Sequence, residues 1–300
     1  MNGKLCVVTG ATSGIGLEVA CSLASLGARV IGVGRDPCRC AQAASRIRSL
    51  SGRNEVEYEV ADLSSRVEVR ALAQRIATRK VHVDVLINNA GLFTWKRRES
   101  VDGIELQFAV NYLAAFLLTG LLLPHLATGA RVITVSSDSH TIGRIHWRDV
   151  GMHHGYSGLS AYAQSKLATV LFTYELARRL SAHAAKSREA SITAFAADPG
   201  LVDTKIGEKG TGALIGRFWR WRARHSISPA QSAASIAFLA SSPLIAGQTG
   251  HYWYMDEPRP SSKRSYDEAA ARRLWELSER MSGLCYLSEG SPGRSGRLTA

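Results

Sequence analysis

The 300-residue sequence predicts an α/β fold: a doubly wound parallel sheet of about seven strands with helices on both faces, in a single domain. Three observations predict it. Short apolar runs alternate with segments of helical period along most of the chain. One of those runs, Val132-Ile133-Thr134-Val135, is apolar and β-branched, as in a strand buried on both sides. A glycine-rich turn joins the first run to the first helix. Alternation of this kind implies parallel strands linked by right-handed crossovers.

The first strand is Leu5–Thr9, and it leads into Thr9-Gly10-Ala11-Thr12-Ser13-Gly14-Ile15-Gly16. Leu17, Val19, Ala20, Leu23 and Leu26 then repeat with helical spacing until Gly27 ends the helix. Strands are predicted at Arg29–Gly34, Val56–Ala61 and Val83–Asn88. Ile104–Leu126 is a helix; its apolar part, Leu113–Leu126, is short for a membrane span and reads as a helix buried against the sheet. Arg131–Ser136, Ser191–Ala196 and Gly250–Met255 complete the strands. The domain spans 1–287, and the tail Ser288–Ala300, rich in Ser, Gly and Arg, is expected to be disordered. Thr9–Gly16, Arg35, Asp62, Asn89 and Ser137 all fall at carboxyl ends of strands, where open α/β sheets bind ligands.

Composition narrows the function classes. With 45% hydrophobic residues the chain can bury a large core, and its net charge is +12. Nucleic-acid binding is excluded because no recognition motif accompanies the charge; an anionic cofactor and a negatively charged membrane surface account for it. The start Met1-Asn2-Gly3-Lys4 runs straight into the first strand, so no signal peptide is expected. Five scattered cysteines suit a reducing compartment, and Cys38-x-Cys40 lacks the second half of a metal site. His140, His146, His153 and His154 match no metal spacing and read as a loop near a substrate mouth. No metal is expected. The location is cytoplasmic, with peripheral contact on a membrane surface as an extension of that reading.

Two motifs carry chemistry. Tyr162 and Lys166 stand four residues apart on a helix, hence on one face. A phenol of pKa about 10 is a poor acid–base group at neutral pH, and an ammonium one turn away lowers it toward the working range. Gly10, Gly14 and Gly16 form a strand–turn–helix element with Gly-x-x-x-Gly-x-Gly spacing. Such a turn lets backbone approach a pyrophosphate, whose charge the helix N-terminus receives.

Five landmarks occur in order: Thr9–Gly16, Asn88-Asn89-Ala90-Gly91, Ser136-Ser137, Tyr162-x-x-Ser165-Lys166 and Pro199-Gly200. From about Lys4 to Asp256 the chain resembles the short-chain dehydrogenase/reductase family, which implies a Rossmann fold. Ala109-Val110-Asn111-Tyr112-Leu113, the long Ser137–Tyr162 stretch and Leu167–Leu180 resemble its retinol dehydrogenase-like branch. Ala161–Lys166, Asp198-Pro199-Gly200 and Gly250-His251-Tyr252 resemble a branch member associated with polyprenol and dolichol metabolism.

The resemblance implies roles. Tyr162 is the general acid–base, Lys166 lowers its pKa and holds the nicotinamide ribose, and Ser137 hydrogen-bonds the substrate oxygen. Asn111 supports a water chain to the lysine, or else serves a structural partner. Gly10, Thr12, Ser13, Gly14, Ile15, Gly16, Asn89, Ala90, Gly91, Pro199 and Val202 contact the cofactor, and Thr204 bonds the nicotinamide carboxamide. Asp62-Leu63 borders the adenine, with helix capping as the alternative for Asp62. At the second strand's tip Arg35 suits a 2′-phosphate, while Asp36 reads as a helix cap, so NADP(H) is favoured over NAD(H). In the segment 214–224, Leu214, Ile215, Phe218 and Trp219 share a helical face with Arg217, Arg220, Arg222 and Arg224 alongside. This is either an interfacial helix or a lid, and both imply an apolar substrate. The expected activity is interconversion of an alcohol and its carbonyl on a retinoid-, steroid- or polyprenol-like molecule. A non-catalytic NAD(P)-binding scaffold and a nucleotide-sugar epimerase or dehydratase are the alternatives. Oligomeric state is left open.

Overall fold

The computed structural model describes residues 1–187, 191–200 and 227–287. Seven parallel strands form the sheet: β1 (Leu5–Thr9), β2 (Arg29–Gly34), β3 (Val56–Val60), β4 (Val83–Asn88), β5 (Leu126–Val135), β6 (Thr193–Asp198) and β7 (His251–Tyr254). A two-residue strand, β8 (Glu257–Pro258), pairs antiparallel with β7. Their order is β3-β2-β1-β4-β5-β6-β7-β8. The direction of winding reverses between β1 and β4, and a crevice opens there beyond the strand ends.

Period-two alternation along β1 explains the two-sided core. Leu5 and Val7 enter one cluster with Phe116, Phe172 and Trp275; Cys6 and Val8 enter the other with Leu23, Ile47 and Ile236. The first face carries α3 (Arg66–Ala77), α5 (Ala114–Leu122), α6 (Gly158–Ser187) and α8 (Glu268–Ser282). The second carries α1 (Gly14–Ser25), α2 (Pro37–Ser51) and α7 (Pro229–Ser241). Phe116 packs on Phe172, Trp275 and Tyr286 with ring centroids 5.7, 5.1 and 4.9 Å away. Truncating a buried aromatic of this kind costs about 3–5 kcal/mol.

The predicted helix 104–126 is interrupted. It comprises α4 (Leu106–Phe108), a π-helical stretch Ala109–Leu113, α5, and a 3₁₀ turn Leu123–His125 that contains Pro124. Leu106–His125 is long and apolar enough to cross a membrane, but its most apolar window is 78% buried within the protein, which makes it a core helix. β5 begins earlier than predicted, because Val83 pairs with Leu126 before a register break restores pairing at Val85 and Arg131. β6 extends two residues further than predicted, ending in the buried Asp198.

Candidate active site

The glycine turn is shaped by two different demands. Gly10 and Gly14 take positive φ, +67° and +55°, which L side chains adopt at a cost. Gly16 has ordinary dihedrals, yet a Cβ there would overlap the Gly10 carbonyl and the Asn89 side chain. The ends of β1 and β4 are stitched together beside it. The Thr9 hydroxyl accepts from the N–H groups of Asn89 (2.9 Å) and Ala90 (3.0 Å), and Asn89 Nδ2 donates to Thr9 O at 2.8 Å. Asn89 and Ala90 are thereby fixed against the turn. The phenol of Tyr58, pushed up by burial, donates to Ala11 O at 2.6 Å. Ser13 is exposed at the N-cap of α1 and its side chain caps nothing, so the N–H groups of the first turn remain for an anion. Thr12 and Ile15 flank it, both half-buried. The close backbone packing and uncapped helix start fit a pyrophosphate.

Arg35 stands exposed at the tip of β2, with no ion pair among the described residues. Asp36 is the N-cap of α2, accepting from Arg39 N at 2.9 Å. The carboxylate of Asp62 accepts from Ser64 N at 2.9 Å, while the cap of α3 is Ser65. Asp62 thus closes its own turn and does not cap the helix. Leu63 packs against the core on the α3 face.

The N-terminal part of α6 presents Tyr162, half-buried, and Lys166, 3% exposed. Lys166 Nζ lies 5.6 Å from the Tyr162 ring centroid and donates to Val135 O at 2.9 Å. Burial draws its pKa down to about 8, against the opposing pull of the Asp198 carboxylate. Gly91 lies beside the same ammonium: a Cβ there would stand 3.7 Å from Nζ and 3.5 Å from Asn111 Oδ1. Asn111, on the π-helical stretch, accepts from Leu92 N at 2.7 Å and donates to Leu92 O and Ser165 Oγ, both at 3.0 Å. Ser165 in turn donates to Tyr162 O at 2.7 Å. Asn111 has direct partners that join the loop after β4 to the helix of Tyr162.

The two serines after β5 differ. Ser136 is buried and its hydroxyl donates to Lys166 O at 3.0 Å. Ser137 is half-buried and, among the described residues, its hydroxyl makes two 3.3 Å contacts, both with Ser139. Contacts so long are weak and yield readily to a ligand. Phe93 meets the Tyr162 ring edge-on at 5.8 Å and Trp95 at 4.7 Å, an aromatic wall that the sequence reading missed. A buried ammonium one turn from a phenol can hold and move a proton at the phenol oxygen.

Pro199 follows β6 directly, and its carbonyl accepts from Ser232 Oγ at 2.6 Å. The neighbouring Asp198, also missed, accepts from Tyr252 OH (2.7 Å) and Gly200 N (2.9 Å), while burial pushes its carboxyl upward. Its signal was a carboxylate closing an otherwise apolar strand. Val202, Thr204 and the segment 214–224 lie outside the described residues, as does the tail 288–300. His140 is buried, whereas His153 and His154 are exposed beside Asp149, and no cluster fit for a metal occurs among the described residues. Cys40 is buried and Cys38 exposed, so the two do not form half a site.

The sequence profile of the short chain dehydrogenase family matches residues 4–212. The chain belongs to the short-chain dehydrogenase family. It is an NAD(P)-dependent oxidoreductase. This short-chain dehydrogenase is 36% identical to human retinol dehydrogenase 14 over 95% of its length and 88% of that protein's. It is 35% identical to human polyprenol dehydrogenase, covering 94% of this chain and 86% of the relative. A short chain dehydrogenase from Burkholderia cenocepacia, solved in complex with NADP, superposes with a TM-score of 0.67 at 27% identity, over 85% of this chain and 97% of the other.

Proposed function

We propose that this short-chain dehydrogenase interconverts an alcohol and its carbonyl on a hydrophobic retinoid-, steroid- or polyprenol-like molecule, using NADP(H) in preference to NAD(H). The observation that carries the reading is the buried Lys166 ammonium, 5.6 Å from the Tyr162 ring on one helix face. A bound nicotinamide supplies or accepts the hydride. The chain's own residues do the rest. The turn Gly10, Thr12, Ser13, Gly14, Ile15 and Gly16 receives the pyrophosphate on backbone N–H groups, and Arg35 pairs with the 2′-phosphate. Asp62 and Leu63 border the adenine, Asn89, Ala90, Gly91, Pro199 and Val202 contact the cofactor, and Thr204 bonds the nicotinamide carboxamide. Lys166 holds the ribose and stabilises phenolate at Tyr162. Ser137 donates to the substrate oxygen, Tyr162 gives that oxygen a proton or takes one from it, and Asn111 holds the helix of Tyr162 to the loop after β4. Phe93 and Trp95 exclude water from the phenol.

Support for an apolar substrate comes from that aromatic wall and from the names of the relatives, retinol dehydrogenase and polyprenol dehydrogenase. Cofactor oxidation across retinal, a polyprenal, steroid ketones and simple aldehydes tests it. Tyr162→Phe should lower the best of these rates by about 10²–10⁴-fold while cofactor binding persists. A variant keeping more than about a tenth of the rate, with chemistry limiting, overturns the assignment. The arginine-rich segment 214–224 adds peripheral contact with an anionic membrane surface. Sedimentation with anionic vesicles at low salt should carry the protein down, and protein left in the supernatant makes the segment a lid.

A further inference from the structure

The turn that carries Ser137 is held from behind by one buried imidazole. Ser137 is the N-cap of a 3₁₀ turn, Asp138–Ile142, in which His140 is 1% exposed. His140 Nδ1 lies 2.8 Å from Ser137 O, the same oxygen that accepts His140 N at 3.0 Å. The other ring nitrogen, Nε2, lies 3.1 Å from the backbone N of Ser262. A backbone N–H only donates, so Nε2 must offer its lone pair. The proton therefore sits on Nδ1, which donates to Ser137 O. Both ring nitrogens are used, and their roles follow from geometry.

The imidazole is fixed on its face as well. Its ring lies 4.8 Å from that of Tyr252, whose hydroxyl donates to Asp198 at 2.7 Å. Behind Nε2, the segment around Ser262 is anchored by Tyr174 OH on Ser261 Oγ (2.7 Å) and by Ser265 Oγ on Ser262 O (2.6 Å). One side chain thus links the turn after β5 to a segment more than 120 residues further along. Among the described residues Ser137 Oγ has only long contacts of its own, and its position follows the backbone that His140 holds.

We infer that His140 is the positioning residue for Ser137, an uncharged Nδ1–H strut between the substrate-side serine and the C-terminal segment. This rests on the reading of Ser137 as the donor to the substrate oxygen. A donor misplaced by about 1 Å costs on the order of 10²-fold in rate.

His140→Asn and His140→Gln separate the two contacts, because the shorter amide reaches the Nδ1 position and the longer one the Nε2 position. With the fastest carbonyl of the panel, His140→Gln should lose roughly 10–100-fold in kcat with the KM for NADPH unchanged. His140→Asn, which keeps the donor to Ser137 O, should stay within about threefold of wild type. On a Ser137→Ala background His140→Gln should cost nothing further, since a residue acting through Ser137 has nothing left to position. Equal losses in the Asn and Gln variants, or losses that multiply with Ser137→Ala, overturn the inference. Wild-type kcat in Ser137→Ala instead overturns the role of Ser137. Nitrogen-15 NMR of the imidazole decides independently of turnover or of variant folding: protonated Nδ1 with bare Nε2 is expected, and the opposite tautomer contradicts the strut.

Discussion

The two halves of the sheet's carboxyl edge are built from different materials. At the ends of β1, β2 and β4 the fixed groups are mostly backbone: positive-φ glycines, an uncapped helix start, and Thr9 and Asn89 holding two strand ends together. At the ends of β5, β6 and β7 they are buried side chains with protons to hold: Lys166, Asp198, Tyr252 and His140. A phosphate needs an array of N–H groups that never changes protonation. A carbonyl undergoing reduction needs a proton whose affinity is tuned. One edge is therefore sensitive to volume and the other to charge.

The sharpest way to break that contrast is to add a single methyl group. Gly16→Ala puts a Cβ against the Gly10 carbonyl, so it should destabilise the fold by about 1–3 kcal/mol and weaken cofactor binding by more than tenfold. Gly52→Ala is the control: that residue has φ +65° but open space around it, so it should cost about 1 kcal/mol and leave cofactor affinity unchanged. Titration of NADPH fluorescence and denaturant unfolding read both. Equal effects in the two variants would deny the close approach at Gly16.

Arg35 brings a positive charge to the first edge. Arg35→Ala should shift the preference for NADPH over NADH by about tenfold to a hundredfold, as expected for a charge-assisted contact of roughly 1.5–3 kcal/mol. Equal losses for both cofactors would remove Arg35 from the phosphate.

On the second edge the effect is a slope with pH. The folded-state pKa of Lys166, about 8, lies below its ordinary 10.5. Burying the ammonium thus costs in full below pH 8, and the cost fades as pH rises from there to 10.5. Lys166→Met should gain on wild type by up to about 3 kcal/mol more at pH 7 than at pH 10.5. Unfolding by denaturant at the two values checks it; an identical difference at both would mean the ammonium is not desolvated.

The same contrast governs what was legible beforehand. β1, β2 and β4 carry their predicted bounds because a strand buried on both faces is a continuous apolar run that ends where the turn begins. The start of β5 was missed because Ala127-Thr128-Gly129 reads as a loop, and pairing there depends on a register break with β4. A two-residue β8 has no period to detect. The interruption of helix 104–126 was hidden because hydropathy reports which face is buried, not the backbone hydrogen-bond step. Short-range spacing was enough to place Tyr162 and Lys166 on one helix face, and the end of an apolar run was enough to place Arg35 at the tip of β2. His140, Tyr252 and Asp198 were not joined, since each is an ordinary polar residue until packing brings partners from 54 to 122 positions away.

Lys166 is proposed to lower the proton affinity of Tyr162, and titrating the phenolate absorbance of the protein alone tests this without any substrate. Burial pushes the Tyr266 phenol up, but its hydrogen bonds with Ser261 and Tyr174 outweigh that and hold it below the ordinary phenol value, so the decisive quantity is wild type minus Tyr162→Phe, in which its contribution cancels. One phenolate should appear in that difference with a midpoint below the usual value of about 10, and Lys166→Met should move the midpoint upward by a unit or more. Superimposable wild-type and Tyr162→Phe curves below pH 10, or a midpoint indifferent to Lys166, would contradict the account.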